Sequence, residues 1–300
     1  MIRLLALTSA ALLAVAAPAV ACSASWEADV PLRMEANHLI VTVSINNADV
    51  DMILDTGAGR TMVTEDTARH LGLRVDEWRS STTTGLGGST SHRDAALDSI
   101  AIAARPLRYA GPSSEPIIAV GVLGFGGPNG HRFGGLLGAD YLSSYDIDLD
   151  IRNLSMTMYS VAGCTGSFIP WQGAYQRVPV NLSRGRYLAV RAYLDDNPVS
   201  AILDTGASIT LVSAAAAARG GVTADVLSQD PAGTIAGVGS GISVTHAHRF
   251  AELRLGDAVF PKVTLAVSDF HVITEMLIGL DFLSSRRLWL SYATSQVFLQ

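Results

Sequence analysis

The sequence has little charge and almost no lysine. Charged residues make up 16% of the 300 residues, the formal net charge is −6, and Lys262 is the single lysine. No run of Lys or Arg occurs anywhere in the chain. A basic surface of the kind that binds nucleic acid is therefore not expected. A hydrophobic content of 49% is too high for a disordered chain, so the sequence predicts packed cores.

Aromatic residues and long apolar runs are also scarce. Aromatics are 7% of the chain, whereas 28 glycines are spread among short apolar segments. This pattern favours many strands joined by turns over long helices. A chain of this length is expected to form about two domains. We therefore predict an all-β protein with two lobes.

The longest apolar segment is the first one, residues 4–17, which follows Arg3 and precedes Ala19 and Ala21. It is short for a membrane span, and the small residues after it are typical of a signal-peptidase site. We predict a signal peptide over residues 1–21 and an exported protein, periplasmic or secreted. Its removal would leave too few residues before the first motif described below for an inhibitory prosegment, so we expect no further maturation.

The chain has two cysteines, Cys22 and Cys164. In an oxidising compartment they permit one disulfide, which is the interpretation we favour. A cysteine directly after a signal peptide could instead carry a lipid anchor, and unpaired thiols are a third alternative.

The most informative feature is an internal repeat with a constant offset of 149 residues. Residues 38–64 read HLIVTVSINNADVDMILDTGAGRTMVT, and residues 187–213 read YLAVRAYLDDNPVSAILDTGASITLVS. Each copy predicts an alternating strand, a turn and a buried return strand that ends in Asp-Thr-Gly. The repeat sets the predicted boundaries: a first lobe over 22–160, a linker over 161–176 and a second lobe over 177–300.

Two further motifs follow each Asp-Thr-Gly. The first is a glycine-rich hairpin, near residues 85–88 and again near 237–241, and the second is a Leu-Leu-Gly or Leu-Ile-Gly sequence. In this combination the chain resembles the retropepsin and pepsin superfamily of aspartic peptidases. The resemblance implies a bilobal all-β fold and an aspartic-type endopeptidase. It implies catalytic roles for Asp55 and Asp204.

The other residues that the resemblance assigns fall into two groups. The residues that would support the two aspartates are Thr56, Gly57, Ala58, Thr205, Gly206 and Ala207. The residues of the hairpin tips that would cover the substrate are Gly85, Leu86, Gly87, Gly88, Gly237, Val238 and Gly239. A tyrosine near the first tip, which pepsins use, is lacking.

Paired carboxylates explain why both copies carry an acid. Two carboxylates placed close together share one proton, so one serves as acid and the other as base toward a water molecule. This chemistry needs no cofactor and no metal. The expected partner is a polypeptide in extended conformation, and we expect a monomer because both half-sites lie in one chain. The alternative is a peptide-binding module that keeps the fold without catalysis.

Two other polar patterns lie outside these motifs. The acids of residues 146–150, DIDLD, alternate along a strand and are expected on a solvated face. His246 and His248 could share one strand face as metal ligands, but a solvated pair is the interpretation we favour.

Alanine follows the glycine of both Asp-Thr-Gly motifs. Ala58 and Ala207 stand where pepsins carry Ser or Thr, and they cannot donate a side-chain hydrogen bond to the aspartates. We therefore expect activity in a range of about pH 4.5 to 6.5.

Overall fold

The fold is all-β, as the computed structural model shows for residues 21–86, 88–122, 133–184, 186–237, 241–270 and 274–300. Strands account for 53% of the chain and helices for 9%. The predicted signal peptide lies outside these ranges except for residue 21. Within them, none of the helices has the length and apolar composition that crossing a bilayer requires.

Among the described residues of the first half of the chain there are thirteen strands and two short helices. The strands are β1 (Ser23–Pro31), β2 (Arg33–Glu35), β3 (His38–Ile45), β4 (Ala48–Leu54), β5 (Met62–Thr64), β6 (Val75–Gly85), β7 (Gly88–Ala96), β8 (Ile100–Ile102), β9 (Arg105–Pro106), β10 (Ile117–Gly121), β11 (Gly135–Leu137), β12 (Asp146–Asp150) and β13 (Ser155–Ala162). The helices are α1 (Glu65–His70) and α2 (Ala139–Leu142).

The part of the second half that the structure describes forms thirteen strands and three short helices. The strands are β14 (Gln176–Val178), β15 (Val180–Arg184), β16 (Tyr187–Leu194), β17 (Asn197–Leu203), β18 (Leu211–Ser213), β19 (Ala232–Ala236), β20 (Ile242–Arg249), β21 (Glu252–Leu255), β22 (Ala258–Pro261), β23 (Thr264–Ser268), β24 (Met276–Ile278), β25 (Arg287–Ser291) and β26 (Gln296–Leu299). The helices are α3 (Ala214–Arg219), α4 (Ala224–Leu227) and α5 (Leu280–Leu283).

Each half contains a ten-stranded sheet, and the two sheets have the same strand order. In the first lobe the order is β6, β7, β10, β5, β11, β4, β3, β8 and β9, with β2 beside β3. In the second lobe it is β19, β20, β23, β18, β24, β17, β16, β21 and β22, with β15 beside β16. The internal repeat of the sequence is therefore a repeat of topology, and the predicted two-lobed all-β fold is confirmed.

The repeated hairpins have the same two-residue turn. Asn46 and Asn47 connect β3 to β4 with φ angles of 49° and 65°, and Asp195 and Asp196 connect β16 to β17 with 47° and 63°. Asn and Asp tolerate this left-handed conformation, whose twist suits a tight hairpin. The turns direct β4 and β17 into the core, where their last three residues are buried.

A third sheet joins the two halves. Its six strands lie in the order β1, β13, β12, β25, β26 and β14, so strands from the two halves meet where β12 pairs with β25. We call it the shared sheet. The segment predicted as a linker contributes to this sheet at both ends and buries Ile169 and Trp171 in an aromatic cluster against it.

The expectation that the DIDLD acids lie on a solvated face is wrong. Asp146 and Asp148 are only 1% and 3% exposed, because β12 is an interior strand of the shared sheet and both of its faces are covered. Alternation places polar residues on one face of a strand, but it does not decide whether water or protein covers that face.

Each buried acid of β12 has partners from the second half of the chain. Asp146 accepts hydrogen bonds from the Trp289 indole at 3.1 Å and the Ala293 N–H at 3.2 Å. Asp148 accepts two from the Arg287 guanidinium, at 2.9 and 2.7 Å. These bonds supply the partners that buried carboxyls need.

Cys22 and Cys164 are joined by a disulfide with their Cα atoms 4.2 Å apart. The two cysteines flank the β1–β13 pair, in which Ser23 lies opposite Ala162, and this pairing brings the two thiols together. The lipid anchor and the unpaired thiols would each require a sulfur that this bond uses.

Candidate active site

Asp55 and Asp204 directly follow the buried strands β4 and β17. The Asp55 N–H donates to the Leu137 carbonyl at 3.0 Å, and the Asp204 N–H donates to the Ile278 carbonyl at 2.9 Å. The Leu-Leu-Gly and Leu-Ile-Gly motifs therefore form the strands β11 and β24 that hold the aspartates in place. Both aspartates are 8% exposed, at the floor of the space between the lobes.

Each carboxylate is held by the loop that follows it. Oδ1 of Asp55 accepts from the N–H groups of Gly57 at 3.0 Å and Ala58 at 2.8 Å. In the second lobe, Oδ1 of Asp204 accepts from Gly206 at 2.9 Å and Ala207 at 3.2 Å. One oxygen of each carboxyl is thus fixed by the backbone, which fixes the direction of the other.

The two carboxyls lie next to each other and interact electrostatically. Burial raises the pKa of Asp55 well above its ordinary range, and the charge of Asp204 raises that pKa further. Burial also raises the pKa of Asp204, although the N–H donors of its own loop oppose the rise. The pair therefore titrates as a unit that shares one proton.

Glycine is required on both sides of this pair. A Cβ atom at Gly57 would overlap the carboxyl of Asp204, and one at Gly206 would overlap the carboxyl of Asp55. Each aspartate thus packs against the loop of the other lobe, and any larger residue at these positions would push the carboxyls apart.

Thr56 and Thr205 connect the two loops by reciprocal hydrogen bonds. The Thr56 hydroxyl donates to the Leu203 carbonyl at 2.6 Å and accepts from the Thr205 N–H at 3.1 Å. The Thr205 hydroxyl donates to the Leu54 carbonyl at 2.6 Å and accepts from the Thr56 N–H at 3.1 Å. These buried bonds set the separation of the two lobes at the aspartates.

A further layer of support was missed by the sequence analysis. The Thr61 hydroxyl donates to Asp140 at 2.5 Å and accepts from the Gly138 N–H at 2.9 Å. In the second lobe the Thr210 hydroxyl donates to Asp281 at 2.7 Å. The signal was present in the sequence, because both repeats place an acid two residues after the motif glycine, in GAD and GLD.

A cavity of about 780 Å³ lies above the aspartates. Both lobes contribute to its wall. The lining residues are His38, Asp55, Gly57, Ala58, Gly59, Arg60, Met62, Thr82, Thr83, Thr84, Gly85, Leu86, Tyr187, Ile202, Asp204, Gly206, Ala207, Ser208, Ile209, Thr234, Ile235, Ala236, Gly237, Thr274 and Leu277.

The two glycine-rich hairpins, β6–β7 and β19–β20, cover the cavity and meet each other. The Ser243 hydroxyl of the second donates to the Leu86 carbonyl of the first at 3.0 Å. Of the predicted tip residues, Gly85, Leu86 and Gly237 line the cavity, whereas Gly88 is exposed at the start of β7 and does not. The remaining three, Gly87, Val238 and Gly239, lie outside the described residues.

His38 and Tyr187 are cavity residues that the sequence analysis did not select. They occupy equivalent positions in the repeat, at the starts of β3 and β16, and each reaches the aspartate loop of the other lobe. His38 hydrogen-bonds to the backbone of Gly206, and Tyr187 to the backbone of Gly59. Burial lowers the pKa of His38. Their place at the start of the first repeated strand was the available signal.

No cluster of three His, Cys, Asp or Glu side chains suited to a metal ion occurs in the part of the chain that the structure describes. The His246 and His248 pair is not such a site there, since His248 instead lies with Nδ1 2.6 Å from a carboxylate oxygen of Asp230.

The fold and the paired aspartate loops define a class of protein, and sequence comparison gives the same class. The sequence model of the aspartyl protease family matches residues 41–141 and 190–282, one stretch in each lobe and together more than half of the chain. The chain belongs to the aspartyl protease family and is a hydrolase of the aspartic endopeptidase type.

Solved structures include one with the same architecture over nearly the whole length. The crystal structure of the aspartic proteinase from Irpex lacteus aligns with a TM-score of 0.53 and 14% sequence identity, covering 92% of this chain and 97% of that one. At this identity the similarity concerns the fold. None of the curated protein sequences is similar enough to this chain to count as a match.

Proposed function

We propose that Asp55 and Asp204 form the catalytic dyad of this peptidase. The observation that carries the proposal is the placement of two buried carboxyls next to each other at the floor of the cavity between the lobes. Burial raises the pKa of both carboxyls, so the pair shares one proton and one member is protonated while the other is ionised. The pair therefore holds one acid and one base in contact, the arrangement that proton exchange with a water molecule needs.

In the proposed reaction, the ionised member of the pair removes a proton from a water molecule as that water attacks the scissile carbonyl carbon. The protonated member donates its proton to the carbonyl oxygen, which becomes a hydroxyl of the tetrahedral intermediate. Collapse of the intermediate breaks the C–N bond: the carboxyl that took the water proton gives it to the amine nitrogen, and the other carboxyl takes a proton from a hydroxyl of the intermediate, which restores the singly protonated pair. One water is consumed, one amine and one carboxyl are formed, and no covalent enzyme intermediate is required.

The cavity supports an extended peptide as the substrate. Its walls include β6 and β19, whose hairpins lie over the aspartates, and an extended chain can hydrogen-bond to strand backbones on both sides. The hairpin contact between Leu86 and Ser243 covers the cavity, so substrate entry requires the hairpins to separate.

We also propose that the enzyme acts outside the cytosol. The Cys22–Cys164 disulfide supports an oxidising compartment, in agreement with the signal-peptide pattern of the first 21 residues. The intact mass of the protein recovered after export tests this. We expect a chain that begins at Cys22 and is lighter by about two hydrogens than its reduced form. An acylated Cys22 would contradict the disulfide.

The decisive experiment for the activity is hydrolysis of unfolded casein from about pH 3 to about pH 8. We expect the wild-type protein to cleave casein and Asp55→Asn to lose the activity while keeping its fold. Asp257→Asn provides the matched control, because Asp257 is an exposed turn residue outside the cavity. Binding of casein without cleavage by the wild type would identify a peptide-binding module instead.

A further inference from the structure

The two apolar clusters beneath the cavity occupy equivalent places but differ in size. The first-lobe cluster consists of Ile40, Ile53, Met62, Ala119, Phe133 and Leu136. The second-lobe cluster consists of Ala189, Ile202, Leu211, Phe270 and Leu277. At the repeat offset, Ala189 of the second cluster takes the place of Ile40 in the first. The second cluster therefore has a smaller side chain at a fully buried position.

The cavity touches both clusters, through Met62 in the first and through two residues in the second. There it is lined by Ile202 and its cross-strand partner Leu277. The equivalent pair in the first lobe, Ile53 and Leu136, is 0% and 1% exposed and does not line it. The smaller Ala189 accounts for the difference, because filling that position with a branched side chain closes the layer beneath the cavity.

An aliphatic side chain of the protein itself covers the opening of the second cluster. Leu86, from the hairpin of the first lobe, packs against this cluster together with Tyr187 and Ile235. Its carbonyl accepts the Ser243 hydrogen bond, so the hairpin of the second lobe fixes it there. The second-lobe cluster thus packs against a leucine side chain from the hairpin of the first lobe.

At two further positions, the first-lobe side of the cavity is polar where the second-lobe side is apolar. Thr83 stands two residues before the hairpin glycine, where the second lobe has Ile235, and its hydroxyl lies 2.8 Å from Nε2 of His92. Arg60 stands where the second lobe has Ile209, and it pairs with the buried Asp94 at 3.1 Å.

The partner of Arg60 differs between the lobes as well. Asp94 lies opposite Ala119 on the neighbouring strand. In the second lobe the equivalent pair is Ala247 opposite Ala266, so Ala247 takes the place of Asp94. The charged pair of the first lobe is therefore replaced as a unit by apolar residues in the second. The two walls of the cavity therefore differ at several positions and not at Ala189 alone.

The two walls of the cavity face different side chains of an extended substrate. Successive side chains of an extended peptide point to opposite sides, so the two residues that flank the scissile bond face opposite lobes. We infer that the second lobe provides a subsite for a leucine-sized apolar side chain of the substrate on one side of the scissile bond, and that this side chain displaces Leu86. The substrate residue on the other side of the scissile bond is then small or polar. The inference rests on the proposed peptidase function and specifies its substrate class.

The test is a map of the bonds cleaved in unfolded casein, read by mass spectrometry for the wild type and two variants. For the wild type we expect Leu, Met or Phe to be enriched at one flanking position alone, by about tenfold or more over small residues. Ala189→Ile fills the subsite and is expected to shift this position toward small side chains. Ile40→Ala is the matched control in the first lobe and is expected to create an apolar preference at the other position.

The outcomes separate this inference from the proposed function. Absence of cleavage by the wild type would overturn the peptidase proposal. Cleavage with equal apolar preference at both flanking positions, or with none, would overturn the asymmetric subsite alone, and so would an Ala189→Ile map identical to that of the wild type. The wild-type map requires no variant, and the smaller change Ala189→Val replaces Ala189→Ile if overpacking prevents folding.

Discussion

Thr56 and Thr205 each donate a hydroxyl proton to a carbonyl of the opposite lobe, in both cases over 2.6 Å. The acceptors are the carbonyls of Leu203 and Leu54, the last residues before the aspartates. The bonds therefore position the dyad through the chain segments that carry it. All four groups are buried, so a missing partner leaves a polar group without water to replace it.

Thr205→Val should reduce stability and activity together. Loss of the hydroxyl leaves the Leu54 carbonyl and the Thr56 N–H without this partner, which costs about 1 to 3 kcal/mol each when the group stays buried. Urea unfolding measures the loss, and kcat/KM reports the displaced dyad. Thr205→Ser is the control, because it keeps the hydroxyl and should remain near wild type. Equal losses in both variants would assign the effect to packing rather than to the hydrogen bonds.

Asp55→Asn should stabilise the protein increasingly as the pH rises. The folded-state pKa of Asp55 is raised, so its contribution to stability is fully present below the unfolded-state pKa and is lost as the pH rises through the folded-state value. The amide introduced by Asp55→Asn keeps an acceptor for the Gly57 N–H and a donor for Asp204, and it does not ionise.

The measurement is the free energy of unfolding of both proteins between about pH 4 and about pH 7.5. We expect the difference between Asp55→Asn and the wild type to grow with pH, whereas Asp257→Asn should show no such trend. A difference that stays constant or shrinks toward high pH would show that folding does not raise the pKa of Asp55.

Asp148→Ala should destabilise the shared sheet far more than Asp150→Ala. Asp148 is 3% exposed and holds the Arg287 guanidinium through two hydrogen bonds, and its removal leaves that charge partly buried without its partner. Breaking a buried pair typically costs about 3 to 5 kcal/mol, and the partial exposure of Arg287 lowers that figure here to about 2 to 3 kcal/mol.

Asp150 is the matched control on the same strand. Its carboxylate hydrogen-bonds to Asn153 in an exposed turn, so its loss should cost less than about 1 kcal/mol. Thermal or urea unfolding of the two variants measures their loss of stability relative to the wild type. Similar losses for both would indicate that Asp148 contributes no more than a surface acid.

Ala58→Ser combined with Ala207→Ser should move the pH range of activity toward acid. The backbone N–H groups of both residues already donate to the aspartates, so each side chain begins close to a carboxylate. An added hydroxyl donor would favour the ionised form and lower the dyad's pKa values. The test is kcat/KM against pH, with Ala58→Gly and Ala207→Gly as controls that add no donor. An unchanged profile in a folded double variant would contradict the account.

The internal repeat is the reason that the two-lobed fold and the two aspartate loops could be predicted from the sequence. Two Asp-Thr-Gly sequences at a fixed offset imply two equivalent loops, and the matched hairpins and glycine motifs predict two equivalent sheets. Burial at Asp146 and Asp148 could not be predicted, because it depends on β25, which lies far along the chain. The positions of Leu86, His38 and Tyr187 likewise depend on contacts between the lobes. Local patterns carry no information on such contacts.

The most direct test of the dyad is a comparison of Asp55→Asn, Asp204→Asn and the double variant by kcat/KM on one casein-derived peptide. Because both acids serve one proton exchange, their effects should not add. We predict that each single variant loses nearly as much activity as the double variant, at least about a thousandfold, with the fold intact by circular dichroism. A single variant that cleaves at a rate near wild type, or losses that multiply in the double variant, would contradict the assignment of Asp55 and Asp204 as a coupled catalytic pair.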